Sequence, residues 1–502
     1  MNTTTRWPSV DRSPTPTGWA RPANLMPADV PRSWPRGRRA TSEADEILAT
    51  AEAWWDVDRS GFRDGDRFLR NIGTAGSALD LRLGSSGVAN SNDPKWLGPE
   101  DTGYVYLPGV VGNHLSTSLT TLSSVASVDF AVRVSLDSFA SVNWLSGWNS
   151  THAAFWIQSN KTLIVRLLNT SILSIGEIPS NIAVPDITAG QPVWLRGKVT
   201  VATSVCDYWY SYDQTNDESL VSWISLGTPQ TGGNAGTTPL LSQSGSPIWG
   251  SHTSGSAGLT GKFHAAAERI DGTIRQRIDA DAITSGAATS FVATTSQTVT
   301  INRATSGRKS VAMPSKAKGG RPLMLLGTDD YLECLDAAQH GLLNFGQGDS
   351  FTVLAVARRW ATQVSAARII VKLDASLTAP NGWSVANFST GQFNNVVLSD
   401  GPNIINTGTT TAAWIAGTLT TNGMIVDRVA RTLRPIINAT IHTSTSTAAV
   451  GSAANTQTVR IGRSSGVGTS YADMEFTAAA VFRRALTARE ITVIANAAPW
   501  GV

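Results

Sequence analysis

The sequence predicts an all-β protein: two tandem β-sandwiches behind an extended arm and a short helix. Three observations carry this. Short runs rich in Val, Ile, Thr and aromatic residues alternate with Gly, Asn, Ser and Pro turns through most of the chain. Some runs alternate with a period of two: Val128, Phe130, Val132, Val134 and Leu136 interleave with Asp129, Ala131, Arg133, Ser135 and Asp137, so one face is buried. Finally, landmarks recur in one order at a near-constant distance, the mark of a duplication.

The totals agree. A chain of 502 residues exceeds one ordinary core. Only 15% of residues are charged, which suits sheets and turns better than helix bundles. The formal net charge is +3, but residues 1–40 carry seven Arg against Asp11 and Asp29. The remainder is therefore slightly acidic, and a body without a basic stripe does not suit nucleic acid. No apolar run has membrane-spanning length, and the first residues lack the apolar core of a signal peptide. Cys206 and Cys334 fall in different halves, so two buried thiols are expected rather than a disulfide.

Residues 1–42 form the arm. Seven prolines block helix and central-strand structure there. Disordered tails are poor in aromatics, yet Trp7, Trp19 and Trp34 sit among these prolines. They point, with Arg36, Arg38 and Arg39, to a segment that orders on another subunit. A helix follows: Ser42 and Asp45 resemble a capping box, and Ile47, Leu48, Ala51, Trp54 and Trp55 share a face at helical spacing. Asp56, Asp58 and Asp64 then open like a calcium loop, but Arg67 stands where the closing Glu belongs, so an ordinary polar turn is expected.

Four anchors define the repeat. Phe130 pairs with Phe351, Trp194-Leu195-Arg196-Gly197 with Trp414-Ile415-Ala416-Gly417, Leu107-Pro108-Gly109 with Leu325-Leu326-Gly327, and Phe263 with Phe476. Their order is kept, and loop insertions account for the drift in spacing. The expected division is 43–278 for the helix and first sandwich, and 279–502 for the second. Thr487 and Glu490 cap a terminal helix with Ile491, Val493 and Ile494 on its apolar side, expected to close a sandwich edge.

These residues resemble a known family. The run Tyr104-Val105-Tyr106-Leu107-Pro108-Gly109 through Thr117 resembles the opening of concanavalin A-like, laminin G-like jelly-roll domains in tail proteins of phages that infect actinobacteria. Gly327-Thr328-Asp329-Asp330-Tyr331-Leu332 is similar to a more widespread form of that opening, and Phe482-Arg483-Arg484-Ala485-Leu486-Thr487 through Ile491 to the family's ending. Trp209-Tyr210-Ser211-Tyr212-Asp213 with Trp223-Ile224-Ser225-Leu226-Gly227 looks like its hairpin, with a longer loop through Asn216 and Asp217 replacing an Asp-Gly turn. The resemblance covers roughly residues 45–502. It implies jelly rolls serving adhesion or display, since fold alone assigns no function.

Glycosidases of this fold are similar in a Glu-x-Asp-x-x-Glu strand, whose period places the carboxylates on one face. That string is absent. Asp279 and Asp281 lack a third carboxylate, and the six His show no zinc spacing. No catalytic residue, cofactor or metal is therefore predicted. Sugar binding needs only an aromatic face and polar side chains. Val193, Leu195 and Val199 take the core face of their strand, leaving Trp194 with Arg196 and Lys198 on the other. Trp414 lies likewise opposite Ala413, Ile415 and Leu419. Either these tryptophans line an open face, or a loop or strand covers them, the commoner fate of tryptophan. Trp156 and Trp383 look equivalent and core-bound, whereas Trp144 and Trp148, around Gly147, are expected to be partly exposed.

The expectation is a non-enzymatic virion protein, a minor tail or tail-tip component assembled in the host cytoplasm. Its arm would meet other tail proteins, its sandwiches host polysaccharide, and it would form a homo-oligomer. The alternatives are a decoration protein without a receptor role and a cellular glycan-binding or glycosidase-like protein.

Overall fold

Alternation sets the layers. Along Ser127–Leu136, Val128, Phe130, Val132, Val134 and Leu136 enter one core, while Ala131 joins a separate cluster on the opposite face. The computed structural model describes residues 42–84, 93–119, 122–148, 153–168, 174–232, 241–243, 247–252, 258–305, 307–327, 329–334, 341–360, 367–373, 380–387, 394–408, 417–463 and 471–497. Trp7, Trp19, Trp34, Arg36, Arg38, Arg39 and Trp414 lie outside these residues.

The fold is two jelly-roll sandwiches of antiparallel sheets. In the first, one sheet runs Ile224–Ser225, Val205–Ser211, Pro192–Thr200, Ser127–Leu136, Thr260–Ile270, Tyr104–Pro108 and Val311–Met313, with Thr273–Asp279 also on Thr260–Ile270. Facing it are Ser174–Ala183, Thr162–Leu168, Ala153–Ile157, Asn143–Trp148, Pro247–Trp249, His114–Thr117, Thr298–Asn302 and Ser290–Val292. Phe130, Phe155, Trp249 and Phe263 fill the space between.

The second sandwich has one sheet of Thr440–Ile441, Thr432–Ile437, Leu419–Asp427, Phe351–Arg359, Met474–Phe482, Leu323–Leu326 and Lys95–Leu97, with Ala53–Asp56 on Met474–Phe482. The other runs Phe68–Leu69, Leu81–Leu83, Leu332–Cys334, Arg460–Ile461, Ala367–Leu373, Asn381–Asn387, Asn394–Asp400 and Ile404–Gly408. Trp55, Phe345, Phe351, Trp383 and Phe476 form its core.

Sheet pairing does not follow the expected division at 278/279. Strands from residues 53–97 belong to the second sandwich, and strands from residues 273–313 to the first. Each half of the sequence therefore gives its opening strands to the other half's sandwich. The two contributions are equivalent: Asp56 lies opposite Ala478, and Asp279 opposite Ala265. Where the chain crosses between sandwiches, Leu97, Tyr104, Tyr106, Val311, Met313, Leu323 and Leu325 make a shared apolar cluster. Lys95 reaches across to Asp137 at 3.1 Å, and the same carboxylate accepts the Tyr106 hydroxyl at 2.8 Å.

A β-bulge gives the repeat its register, because one lies just after Phe263 and another just after Phe476. That anchor holds. Counting from it, Phe130 matches Val353 rather than Phe351, and Leu107 matches Leu326 rather than Leu325. Trp194, opposite Arg133, matches Thr421, opposite Val356, and not Trp414.

The first helix is shorter than its periodicity suggests. It covers Glu43–Leu48, and Trp54 and Trp55 lie on the following strand, where pairing with Met474–Phe482 overrides helical spacing. The terminal helix, Ala488–Ala495, has its full capping box. It seals a sheet face rather than an edge: Ile491 and Ile494 pack with Ile47, Leu48, Leu354, Val356, Ala478 and Ala480. The small alanines admit the helices closely. Cys206 and Cys334 are buried in separate cores and are not joined in a disulfide.

Candidate functional site

In the first sandwich the same sheet face is covered differently. Ala265 and Ala267, the counterparts of Ala478 and Ala480, lie under a polar strap of residues 212–223 instead of helices. The longer loop noted in the sequence becomes this strap. Arg133 anchors it through Asn216 Oδ1 at 2.6 Å and Gln214 Oε1 at 3.1 Å, and Asn216 donates to Asp279 at 2.8 Å. Burial lowers the Arg133 pKa, while the charges of Glu100 and Asp279 raise it. Glu218, itself buried, pairs with Arg269.

The expected direction of Trp194 is correct, but its availability is not. The ring is fully buried among Ala131, Val221, Ala265 and Ala267, and Nε1 donates to the strap carbonyl of Thr215 at 2.9 Å. Trp194 supports the strap and offers no surface to a ligand. What reaches the surface is Arg196, whose guanidinium lies 5.0 Å from the Trp209 ring and 5.2 Å from Trp223. Asp129 fixes it bidentately at 2.9 and 2.6 Å. Burial would lower the Arg196 pKa, but the hydrogen bonds and charge of Asp129 carry it upward, so the cation is permanent. Trp209 and Trp223 are half-buried, and Leu220 and Ile224 are 70% and 49% exposed beside them. Lys198, also half-buried, stands in register with Asp129 and Asp207.

This face offers two indoles held by a cation between them, an apolar margin, and ammonium and carboxylate groups nearby. Indole carries the C–H face of a ring ligand, and the charged groups bind its oxygens. Arg196 and Lys198 were both expected on this face, and they lie there. Sequence reasoning placed Trp209 and Trp223 in a hairpin without assigning them to the site, although their place around the long loop was the signal.

A second aromatic group lies outside the opposite sheet. Trp156 is not the core equivalent of Trp383. Trp383 fills the second core, whereas Trp156 packs outward with Trp144, Ala154 and Ile164. Trp144 is half-exposed, as expected, and stacks on His252 at 4.5 Å. Arg166 lies over both indoles at 5.9 and 5.7 Å. Burial and then the Arg166 charge lower the His252 pKa. His252, Arg166 and Trp156 all pack on Trp144, which leaves a sugar less to stack on.

The groups that could do chemistry are engaged otherwise. Ser135 Oγ lies 2.9 Å from His264 Nε2, and His264 Nδ1 is 3.9 Å from Glu100, an order suggestive of a nucleophile and its base. Ser135 is only 2% exposed, however, and His264 is the bulge residue, fully buried. The contact knits the bulge. Asp279 caps a turn by accepting the backbone N–H of Asp281, and Asp281 accepts that of Gly103 on the distant connecting segment. Asp56 Oδ1 accepts the N–H groups of Asp58 and Arg59 at 3.0 Å each, an Asx-type turn. Among the described residues no group of three or more His, Cys, Asp and Glu is arranged to hold a metal ion.

No family model matches the chain, and no curated protein matches it. Solved structures do. Mouse laminin α1 chain domains LG4-5 are similar at 10% identity and a TM-score of 0.27, over 80% of this chain and 96% of that one. The heptameric SAP-like pentraxin of Limulus polyphemus is similar at 11% identity and 0.25, over 34% of this chain and 76% of that one. The Ruminococcus gnavus IT-sialidase CBM40 bound to α2,3 sialyllactose is similar at 10% identity and 0.26, over 30% and 91%. Likeness at these identities and scores says nothing of ligand or assembly.

Proposed function

We propose that the protein is a non-enzymatic glycan-adhesion protein, carried on a phage particle as a minor tail or tail-tip component. The observation behind adhesion is the stack of Trp209, Arg196 and Trp223 on the first sandwich, an aromatic surface with a fixed cation. The equivalent face of the second sandwich is sealed by two helices, so the first sandwich is the one that meets the ligand. The tail assignment is supported by the sequence resemblance at residues 104–117, 327–332 and 482–491, and by the Trp-bearing basic arm as an attachment segment.

Two experiments test it. Binding of the purified chain to host cell-wall polysaccharide should weaken about tenfold or more in the Trp209→Ala/Trp223→Ala variant, since each stacked ring contributes ~1 kcal/mol. Equal binding by variant and parent refutes the site, and release of soluble sugar refutes the non-enzymatic reading. Mass spectrometry of purified particles should detect the chain. Its absence removes the tail assignment and leaves the glycan experiment standing.

A further inference from the structure

Around the Trp209, Arg196 and Trp223 stack, most of the polar groups left over are donors. Arg196 commits Nε and Nη2 to the two oxygens of Asp129, and among the described residues its Nη1 has no partner. The indole N–H groups of Trp209 and Trp223 and the ammonium of Lys198 also lack partners among the described residues, and all of these donors reach solvent. Trp194 shows the contrast, because its N–H is taken by the Thr215 carbonyl. Lys198 follows Arg196 on the same strand face, roughly 7 Å further along. The neighbouring carboxylates are engaged. Asp129 holds Arg196 and lies 4.0 Å from Arg269; Glu218 pairs with Arg269, and Asp217 with Arg277 at 3.3 Å. Asp207, in register with Lys198 on the next strand, keeps its carboxylate unpaired among the described residues.

We propose that this site selects an acidic polysaccharide, one whose sugar rings carry a carboxylate, over a neutral one. A sugar hydroxyl donates as well as accepts and calls on both kinds of group, whereas a carboxylate only accepts. The open donors, two of them on cations, match the carboxylate, and hydrogen bonds between charged partners are about twice as strong as neutral ones. The carboxylate accepts from Arg196 Nη1 and Lys198 Nζ, a ring hydroxyl donates to Asp207, and the C–H face of the sugar lies on the indoles. A phosphodiester chain without sugar rings supplies the charge but leaves Trp209 and Trp223 bare. This inference rests on the adhesion reading and adds the charge of the ligand to it.

Biolayer interferometry of the full chain tests this on immobilised polygalacturonate, its methyl ester and poly(glycerol phosphate). The ester keeps the rings and loses the charge; the third polymer keeps a charge and loses the rings. Polygalacturonate should bind about tenfold tighter than the ester, and the difference should shrink as NaCl rises from ~50 to ~500 mM. Lys198→Gln, at a half-buried side chain with no partner to strand, should weaken polygalacturonate binding about tenfold and leave the ester unchanged. Trp209→Ala/Trp223→Ala should weaken both. Equal binding of acid and ester, no effect of Lys198→Gln, or no binding to any of the three overturns the proposal, and tighter binding of poly(glycerol phosphate) overturns the carboxylated sugar. Host polysaccharide binding that depends on Trp209 and Trp223, with acid and ester bound equally, would cost this inference and spare the adhesion reading.

Discussion

Replacing Trp55 by alanine alters the first half of the sequence and is expected to unfold the second sandwich. The ring is fully buried in that core, and its Nε1 donates to the Leu79 carbonyl at 2.6 Å. Trp→Ala in a core costs ~3–5 kcal/mol, and a carbonyl deprived of its donor adds about 1 more. Against a domain stability of ~5–15 kcal/mol, that is a large fraction. For a domain of roughly 200 residues, 4 kcal/mol lowers Tm by about 8–16 °C. The assay is hydrogen exchange followed by peptide mass spectrometry across a thermal or urea series. Protection should fall in residues 323–482 together with 53–97 and persist in 104–313. Ile278→Ala is the reciprocal control: this buried residue of the first core should loosen 104–313 and spare the second sandwich. If Trp55→Ala loosens 104–313 while 323–482 stays protected, or costs less than about 1 kcal/mol, the strand exchange between halves is wrong.

Other outcomes follow from the same geometry. Residues 98–322 should give a folded, cooperative domain, whereas 43–278, which contains one sandwich's opening strands and the other's body, should not; circular dichroism and urea unfolding decide. Burial pushes the Asp56 carboxyl up to about 6 against the opposing hydrogen bond of Arg59, and burial likewise raises Asp330 to about 6. At these two carboxyls the folded state then holds more protons than the unfolded between about pH 4 and 6. Their contribution is fully present below pH 4 and lost as pH rises through 6. Asp56→Asn should lessen the fall in urea midpoint between pH 4 and 7 relative to the parent; an unchanged profile refutes the burial argument. Thr487→Ala breaks the capping box and should cost ~1 kcal/mol, read as earlier loss of protection in the terminal helix.

The layers were legible in the sequence because period-two alternation at Val128 to Leu136 reports one buried face directly. Phe263 and Phe476 matched because the motif around them carries the bulge that fixes register. Trp194 and Trp414 did not, since a short Trp-Gly match slides easily between strands whose connecting loops differ in length. The exchange of strands was hidden for a different reason. Ala53–Asp56 and Gln276–Asp279 are equivalent, so either could lie on either closing strand with the same local pattern satisfied, and long-range pairing alone decides. At the site, alternation told which way Trp194 points but not that residues 212–223 would return to cover it.

The ends of the described chain lie together. The helices Glu43–Leu48 and Ala488–Ala495 pack in one cluster, and Arg489 pairs with Glu43 at 2.7 Å. Tension applied between Glu43 and Ala495 would therefore be borne by the second sandwich, which would peel Ala53–Asp56 from Met474–Phe482 starting at the paired ends Ala53 and Val481. The first sandwich hangs from two neighbouring connections, 98–103 and 314–322, outside that line of force. Its tryptophan-bearing face could keep hold of a surface, and its strap stay closed, while the rest of the chain is pulled.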